Sequence, residues 1–386
     1  CPLSLLSHTR NSYEEDIALA ASLGSNAIRL SLEWARCFPT GPARPDPAAV
    51  SRFHAILDAC AAAGLEPLLT LHHFVHPAWF DAAPFSSFET DAGLDAFVQW
   101  AAWAVREYGS KVSCWCTFNE PGVYVSSGYC SGVFPPGKVL ALGTAGAVLL
   151  RMLRAHTAAY RAVHALHARE GAARRLKKPA VGIVHNLMPY EARRLGTADG
   201  APGAGWALSL PSFLPGALSG ARLPLVPPWS AAAAALGHRL WGNEAVLDYL
   251  ATGSFAWRPL GEWWWTGVAG GWFGRRRGGS AAGPAAVLAD DPRPPLDWVG
   301  LNFYGRVVLD AACRPTGYPA EVAAGLTDFS QGVWAAGFRD ALGAVGALGV
   351  PVLVMETGLP DVADGLRAAW ADAYLGVVED VVATGA

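Results

Sequence analysis

A parallel α/β barrel is the fold class this sequence predicts, on three observations. Short β-branched or apolar runs alternate along the chain with longer segments of helical period. The polar side chains that stand out lie at the C-terminal ends of those short runs, and no glycine-rich phosphate loop follows the first of them. The alternation implies a parallel sheet wrapped by helices, either an open doubly wound sheet or a closed (β/α)8 TIM barrel. An open sheet concentrates its chemistry at one switch point, whereas a barrel collects side chains from the ends of many strands, so the spread of polar residues favours the barrel.

Six runs read as strands: "NAIRLSLEW" (26–34), "PLLTLHHF" (67–74), "CWCTFNEP" (114–121), "PAVGIVHNL" (179–187), "DWVGLNFYGRV" (297–307) and "PVLVMET" (351–357). Five of them carry a functional-looking side chain at or near the C-terminal end: Glu33; His72 and His73; Asn119 and Glu120; Asn302 and Tyr304; Glu356. Helical periodicity covers 13–23, 47–63, 91–108, 144–170, 231–251, 333–347 and 364–383. Residues 191–296 are irregular and rich in Gly, Pro and Trp, with "EWWWTG" at 262–267 and "GWFGRRRGG" at 271–279, and read as an insertion over one mouth of a single domain spanning 1–386.

With 52% hydrophobic and 16% charged residues, a 386-residue chain buries a large core, and its 43 Gly and 28 Pro punctuate many loops. A net charge of -3 leaves no broad basic surface, so nucleic acid is not an expected partner despite the local cluster Arg275 to Arg277. Seven cysteines at 1, 37, 60, 114, 116, 130 and 313 show neither a CxxC pair nor metal-type spacing, and read as small reduced core residues. Cys114 and Cys116 should share one face of a strand while Trp115 takes the other. No apolar window reaches the ~18 residues of a membrane span, so the chain reads as soluble. It begins with Cys and carries no leader pattern, which suggests that any targeting segment has been left off, and its compartment is not legible.

An isolated acid such as Glu120, ahead of Pro121, would read best as a solvated carboxylate at a loop start. A second acid changes that: in "VLVMETG" a buried-looking strand ends on Glu356, and two strands of one barrel aim both acids at one cavity. Paired carboxylates suggest glycoside cleavage; in its retaining form one attacks the anomeric carbon, the other protonates the leaving oxygen, and they stand roughly 5 Å apart. A metal-dependent hydrolase is disfavoured, because His72 and His73 are adjacent on a strand and face opposite ways. No metal and no cofactor are expected.

The same stretches resemble family 1 glycoside hydrolases, the β-glucosidase and β-galactosidase family of (β/α)8 barrels. "NAIRLSLEWARCFP", "LTLHHFVHPAWF", "TFNEP", "GYCSGVFPPG", "LDWVGLNFYGR" and "VLVMETG" occur in the family's order over nearly the whole chain. The resemblance implies Glu120 as acid/base and Glu356 as nucleophile, with Asn119 on the sugar 2-hydroxyl and His73 on other glycone hydroxyls. Arg29 and Tyr304 would flank Glu356, one with charge and one with a hydrogen bond, and Asn302 would join the binding set, while Glu120 holds a proton. Blander readings are a structural Arg29 paired with Glu33, a core His72, a Tyr304 that only packs and a packed Trp263 to Trp265 loop. For His72 and for the tryptophan run the blander reading is preferred.

Two departures matter. Where the family has "TENG" this chain has "METG", which should loosen the support around the nucleophile. The resemblance also places the family's first strand before residue 1 and its last after 386, so a barrel lacking those strands, with open edges and half a glycone site, is expected, poorly folded and inactive on its own. "HHFVHPAW" and "LKKPAVGIVHN" resemble plant and algal galactolipid galactosyltransferases. That variant implies a glycolipid substrate, transfer to a sugar hydroxyl in place of water, membrane-surface contact by the Trp- and Arg-rich insertion and a chloroplast-envelope setting. A non-catalytic sugar-binding barrel is the third reading, disfavoured because both acids are present. Sugar, aglycone and oligomeric state are not legible.

Overall fold

The computed structural model describes residues 13–193, 207–209, 222–224, 228–260, 287–327 and 332–385. Six strands form one sheet in the order β1 (Ala27–Ser31), β2 (Glu66–His72), β3 (Cys114–Asn119), β4 (Ala180–Asn186), β5 (Trp298–Asn302) and β6 (Val352–Glu356). Every pairing is parallel and follows chain order. Each connection therefore needs a crossover, and helices supply it.

Those helices are α1 (Tyr13–Ser22), α2 (Pro47–Ala62), α3 (Asp91–Tyr108), α4 (Leu142–Arg174), α5 (Pro228–Leu240), α6 (Asn243–Thr252), α7 (Ala335–Gly346) and α8 (Arg367–Thr384). Local chemistry marks their starts: the Asp46 carboxylate accepts from the Ala48 and Ala49 N–H groups ahead of Pro47, and the Thr90 hydroxyl accepts from Gly93 N–H. α3 turns Phe97, Trp100, Ala104 and Tyr108 inward, a 3.6-residue stripe that packs on the sheet.

The core has two layers. Between sheet and helices lies an aromatic-rich cluster that includes Trp115, Phe118, Phe97, Val148 and Ile183. Inside the curve of the sheet, Cys116, Val184 and Trp298 pack with Leu68, Cys114 and Met355. The expected alternation holds, with Cys114 and Cys116 inside and Trp115 outside. Trp298 fits only because its neighbour lacks a side chain: a Cβ on Gly182 would lie 2.3 Å from the indole Cδ2 and 2.5 Å from the Trp298 carbonyl oxygen.

Three sequence expectations need correction. The run 297–307 is not one strand: pairing on β5 stops at Asn302, the chain turns at Gly305 (φ +136°), and Val307–Leu309 joins a small separate sheet with Tyr190–Ala192. The helix expected over 231–251 breaks at Gly242 (φ +75°), a left-handed residue that ends α5 and starts α6. Cys313 is not a core residue but exposed, on a tight turn where its N–H donates to Asp310 O.

β1 and β6 are the two edges of the sheet and do not pair with each other. An open cavity of about 840 Å³ is lined from both edges, by Ile28, Leu68, Val352, Val354 and Trp370 among others. Trp263 to Trp265 and Arg275 to Arg277 lie outside the described residues. Among the described residues no helix is long and apolar enough to cross a membrane.

Candidate active site

The two acids reach the same mouth of the barrel through irregularities in strand register. On β3, Cys114 and Cys116 pair with Ala180 and Gly182, but the next aligned residue is Asn119, opposite Val184. One extra residue has entered the strand, and it turns Asn119 to the inner side that strict alternation would deny it. β6 does the same: Leu301 pairs with Val354 and Asn302 with Glu356, so Met355 packs inside and Glu356 still faces Asn302.

Glu120 takes the last ladder bond of β3, its N–H donating to Val184 O at 2.9 Å, and then adopts a left-handed conformation with φ +47° and ψ +63°. For a non-glycine residue this costs about 1 kcal/mol or more, and such strain persists where the surroundings enforce it. Pro121 opens a short helix, Pro121–Val125, instead of the loop read from sequence. The Glu120 side chain is 5% exposed, and its Oε1 accepts from Asn302 Nδ2 at 2.6 Å and Asn186 Nδ2 at 2.8 Å. Burial raises its pKa, with the Glu356 charge adding to the rise; the two amide donors and Arg29 oppose it without cancelling it.

Glu356 meets different chemistry. Arg29 Nη1 donates to its Oε1, and the Tyr304 hydroxyl donates to Oε2 at 2.6 Å. Both partners donate to the carboxyl group. The guanidinium is itself fixed at three points, with Nη2 donating to Asn119 Oδ1 at 2.6 Å and Nε to Thr70 Oγ1 at 3.1 Å. Burial first, then Glu356, push the Tyr304 hydroxyl pKa far up, so it remains a donor. His73 places Nε2 3.9 Å from Glu356 Oε1 and Nδ1 3.2 Å from Ser31 Oγ. Burial is the largest influence on His73 and lowers its pKa below the usual imidazole value despite Glu356, so the 3.9 Å approach is that of a neutral ring rather than an ion pair.

A continuous network thus runs Glu120, Asn302, Asn119, Arg29, Glu356, with Asn302 Nδ2 also 3.3 Å from Asn119 Oδ1. Because Asn119 Oδ1 accepts from Arg29, its Nδ2 is the free end of the amide; it is buried and has no hydrogen-bond partner. A buried donor left open beside two carboxyl groups is suited to a ligand hydroxyl. Among the described residues no group of three or more His, Cys, Asp or Glu side chains is arranged to hold a metal ion.

The model of one protein family, Glycosyl hydrolase family 1, matches residues 6–200, half of the chain. The chain belongs to glycosyl hydrolase family 1. Over 126 residues it is 39% identical to a 6-phospho-beta-galactosidase of Lacticaseibacillus casei, covering 33% of this chain and 26% of that protein. It is 33% identical over 126 residues to Beta-glucosidase 25 of Oryza sativa, covering 33% and 25%. The chain thus aligns with about a quarter of the length of these relatives. In three dimensions the family 1 chain resembles a beta-glycosidase from Pyrococcus horikoshii, with a TM-score of 0.67 at 23% identity over 97% of this chain and 72% of the other. The family 1 b-glucosidase from Thermotoga maritima gives 0.66 at 18% identity, over 97% and 74%. The shared fold extends to β6, beyond the segment that the family model matches.

Within this family 1 chain the structure brings Glu120, Glu356, Arg29, Asn119, Asn302, Tyr304 and His73 together. Arg29 contacts Glu356 and Asn119, not Glu33 as in the structural alternative. Glu33, counted among the strand-end acids, is not at the site: it starts the short helix Trp34–Cys37 and lines a cavity behind β1, near Arg36. His72 is 1% exposed in an aromatic cage, the core residue expected. Asn186 was missed, although it ends the fourth run as Asn119 and Asn302 end theirs. Thr70, which holds Arg29, gave no signal beyond being a polar residue in an apolar strand. Beside Glu356, the Thr357 hydroxyl of "METG" donates to Phe303 O at 2.8 Å and ties the end of β6 to that of β5.

Proposed function

We propose that this family 1 chain carries the centre of a retaining β-glycosidase acting on β-glucosides or β-galactosides by double displacement. The observation that supports it is one hydrogen-bonded network holding two carboxyl groups in opposite surroundings: Glu120 buried under neutral amides, Glu356 against a guanidinium and a phenol. In the first step a Glu356 oxygen attacks the anomeric carbon, the bond to the leaving oxygen breaks, and the Glu120 proton passes to that oxygen. In the second, Glu120 as carboxylate takes a proton from water, the water oxygen attacks the same carbon, and Glu356 departs with the electron pair of its ester bond. Asn119 Nδ2 offers its free donor to the sugar 2-hydroxyl, and His73 Nε2 reaches other hydroxyls of the same ring.

Azide separates the two roles in the full chain. Glu356→Ala should lose turnover and recover it with azide as the α-glycosyl azide; Glu120→Ala, on an activated aryl glycoside, should give the β-glycosyl azide. Parent-like turnover in either variant without azide removes the assignment. Water and a sugar hydroxyl compete for the same intermediate, so transfer to galactolipid is a second outcome of this site; with monogalactolipid it would give digalactosyl lipid in place of free galactose.

A further inference from the structure

Behind the sugar-facing wall lies a polar chain that the mechanism above does not use. His72 Nε2 is 3.2 Å from His76 Nδ1, and His76 Nε2 is 2.8 Å from Asp81 Oδ1. The Ser87 hydroxyl also donates to Asp81 Oδ1. His72 is 1% exposed and the His76 side chain 8%, while the Asp81 carboxylate is 55% exposed. The rings of Phe80, Phe88, Phe97, Phe118 and Tyr124 enclose the two imidazoles.

Chemistry constrains the polarity. A carboxylate only accepts, so His76 Nε2 carries a proton; where that is the ring's single proton, Nδ1 accepts from His72 Nε2–H. That leaves His72 Nδ1 as a buried acceptor with no hydrogen-bond partner. Burial first, then His76 and His73, keep His72 far below the usual imidazole pKa, in line with a neutral ring. An apolar side chain at 76 would fill the same aromatic cage without desolvating a polar group; the hydrogen-bonded chain adds direction to that packing.

The His72–His76 bond spans four residues, and within that span Phe74 has a left-handed φ of +67°. A bulky residue held there costs about 1–2 kcal/mol, and something must prevent its return to ordinary geometry. The His72–His76 bond closes across that turn. Phe74 in turn sets its ring edge-on against His73 at 5.2 Å. Tyr124, 5.5 Å from the His72 ring, lies on the short helix after Glu120 and donates its N–H to Glu120 O at 3.1 Å.

We propose that Asp81, His76 and His72 form a relay that holds the strained turn at Phe74 and so positions His73 against the sugar, with His76 as the positioning residue; this rests on the glycosidase reading above. The test compares kcat and KM for an aryl β-glycoside in the full chain. His76→Phe fills the cage but breaks the relay, and should lower kcat/KM about 10- to 100-fold, mainly through KM, without lowering Tm. His76→Gln keeps an acceptor and a donor there and should recover most of the loss. If His76 acts through His73, the double variant with His73→Ala is no worse than His73→Ala alone. Should His76→Phe not fold, Asp81→Leu, at the exposed end, should shift KM in the same direction. Parent-like kcat/KM in these variants, or losses at 73 and 76 that multiply, would overturn the relay. If the parent cleaves no β-glycoside, the glycosidase reading fails separately, and the relay is then read from calorimetric binding of 1-deoxynojirimycin: weaker binding to His76→Phe supports it and unchanged binding sinks it.

Discussion

Glu120 and Glu356 are the same side chain in unlike company, and the difference between a proton donor and a nucleophile is made by their neighbours. Burial dominates at Glu120, and its partners are neutral amides from Asn186 and Asn302. The consequence for stability has a definite sign. An unfolded glutamate titrates near ~4.3, and the folded value is higher, so between the two the native state holds a proton the unfolded chain has lost. Stability contributed by this group therefore declines as pH rises through that window and stays lower at neutral pH. Glu120→Gln keeps an acceptor for both amides and removes the charge; it should lower kcat on an unactivated glycoside about 10²- to 10⁴-fold while raising Tm at pH 7, as seen by calorimetry. The basic limb of the kcat/KM profile should lie above the ordinary glutamate range and vanish in Glu120→Ala. Arg29 serves Glu356, Asn119 and Thr70 at once, a geometry an ammonium cannot copy, so Arg29→Lys should cost about 10-fold or more in kcat/KM.

At the scale of elements, the register of β3 and β6 decides where those residues point. Strict alternation from Cys116 would carry Phe118 into the barrel and turn Asn119 outward; one extra residue reverses this, and Phe118 stacks on Phe97 at 4.2 Å instead. The short helix after Glu120 is seated just as closely. A Cβ on Gly122 would lie 2.2 Å from the carbonyl oxygen of Trp241, at the break between α5 and α6. That oxygen is backbone and not the end of a flexible side chain, so Gly122→Ala must shift the backbone next to Glu120. Urea unfolding should show a loss of roughly 1–3 kcal/mol, with a fall in kcat beyond what a remote glycine substitution of similar cost produces.

Across the whole molecule the chemistry depends on residues that meet only after the sheet has curved. Arg29 on β1 and Glu356 on β6 come from opposite edges of the sheet, 327 positions apart in the chain. The cysteines offer a probe of that global order. Burial pushes Cys37 up to about 12 and Cys116 and Cys130 up to about 11, and Cys60 is also raised, whereas Cys313 is exposed. Among these five, a thiol reagent at pH 7.5 should label Cys313 in the native protein and the others only as the molecule unfolds; rapid native labelling at Cys116 would show that the inner layer is open to solvent.

Alternation of apolar runs and helical periods made the parallel barrel legible, and residue type at the run ends made Glu120, Asn119, Asn302, Tyr304 and Glu356 legible, because burying an acid or amide at the end of an apolar strand demands partners. Asn186 followed the same rule and was passed over, while Glu33 obeyed it and lies elsewhere. What the chain alone could not tell is which way the side chains at the strand ends face. Period-2 alternation is a local rule, and a single extra residue in a strand inverts it at no visible cost in sequence. The bulges in β3 and β6, the left-handed turns at Phe74 and Glu120 and the reach of Arg29 across the barrel are settled by packing among strands far apart in sequence, where only the assembled sheet supplies the partners that hold them.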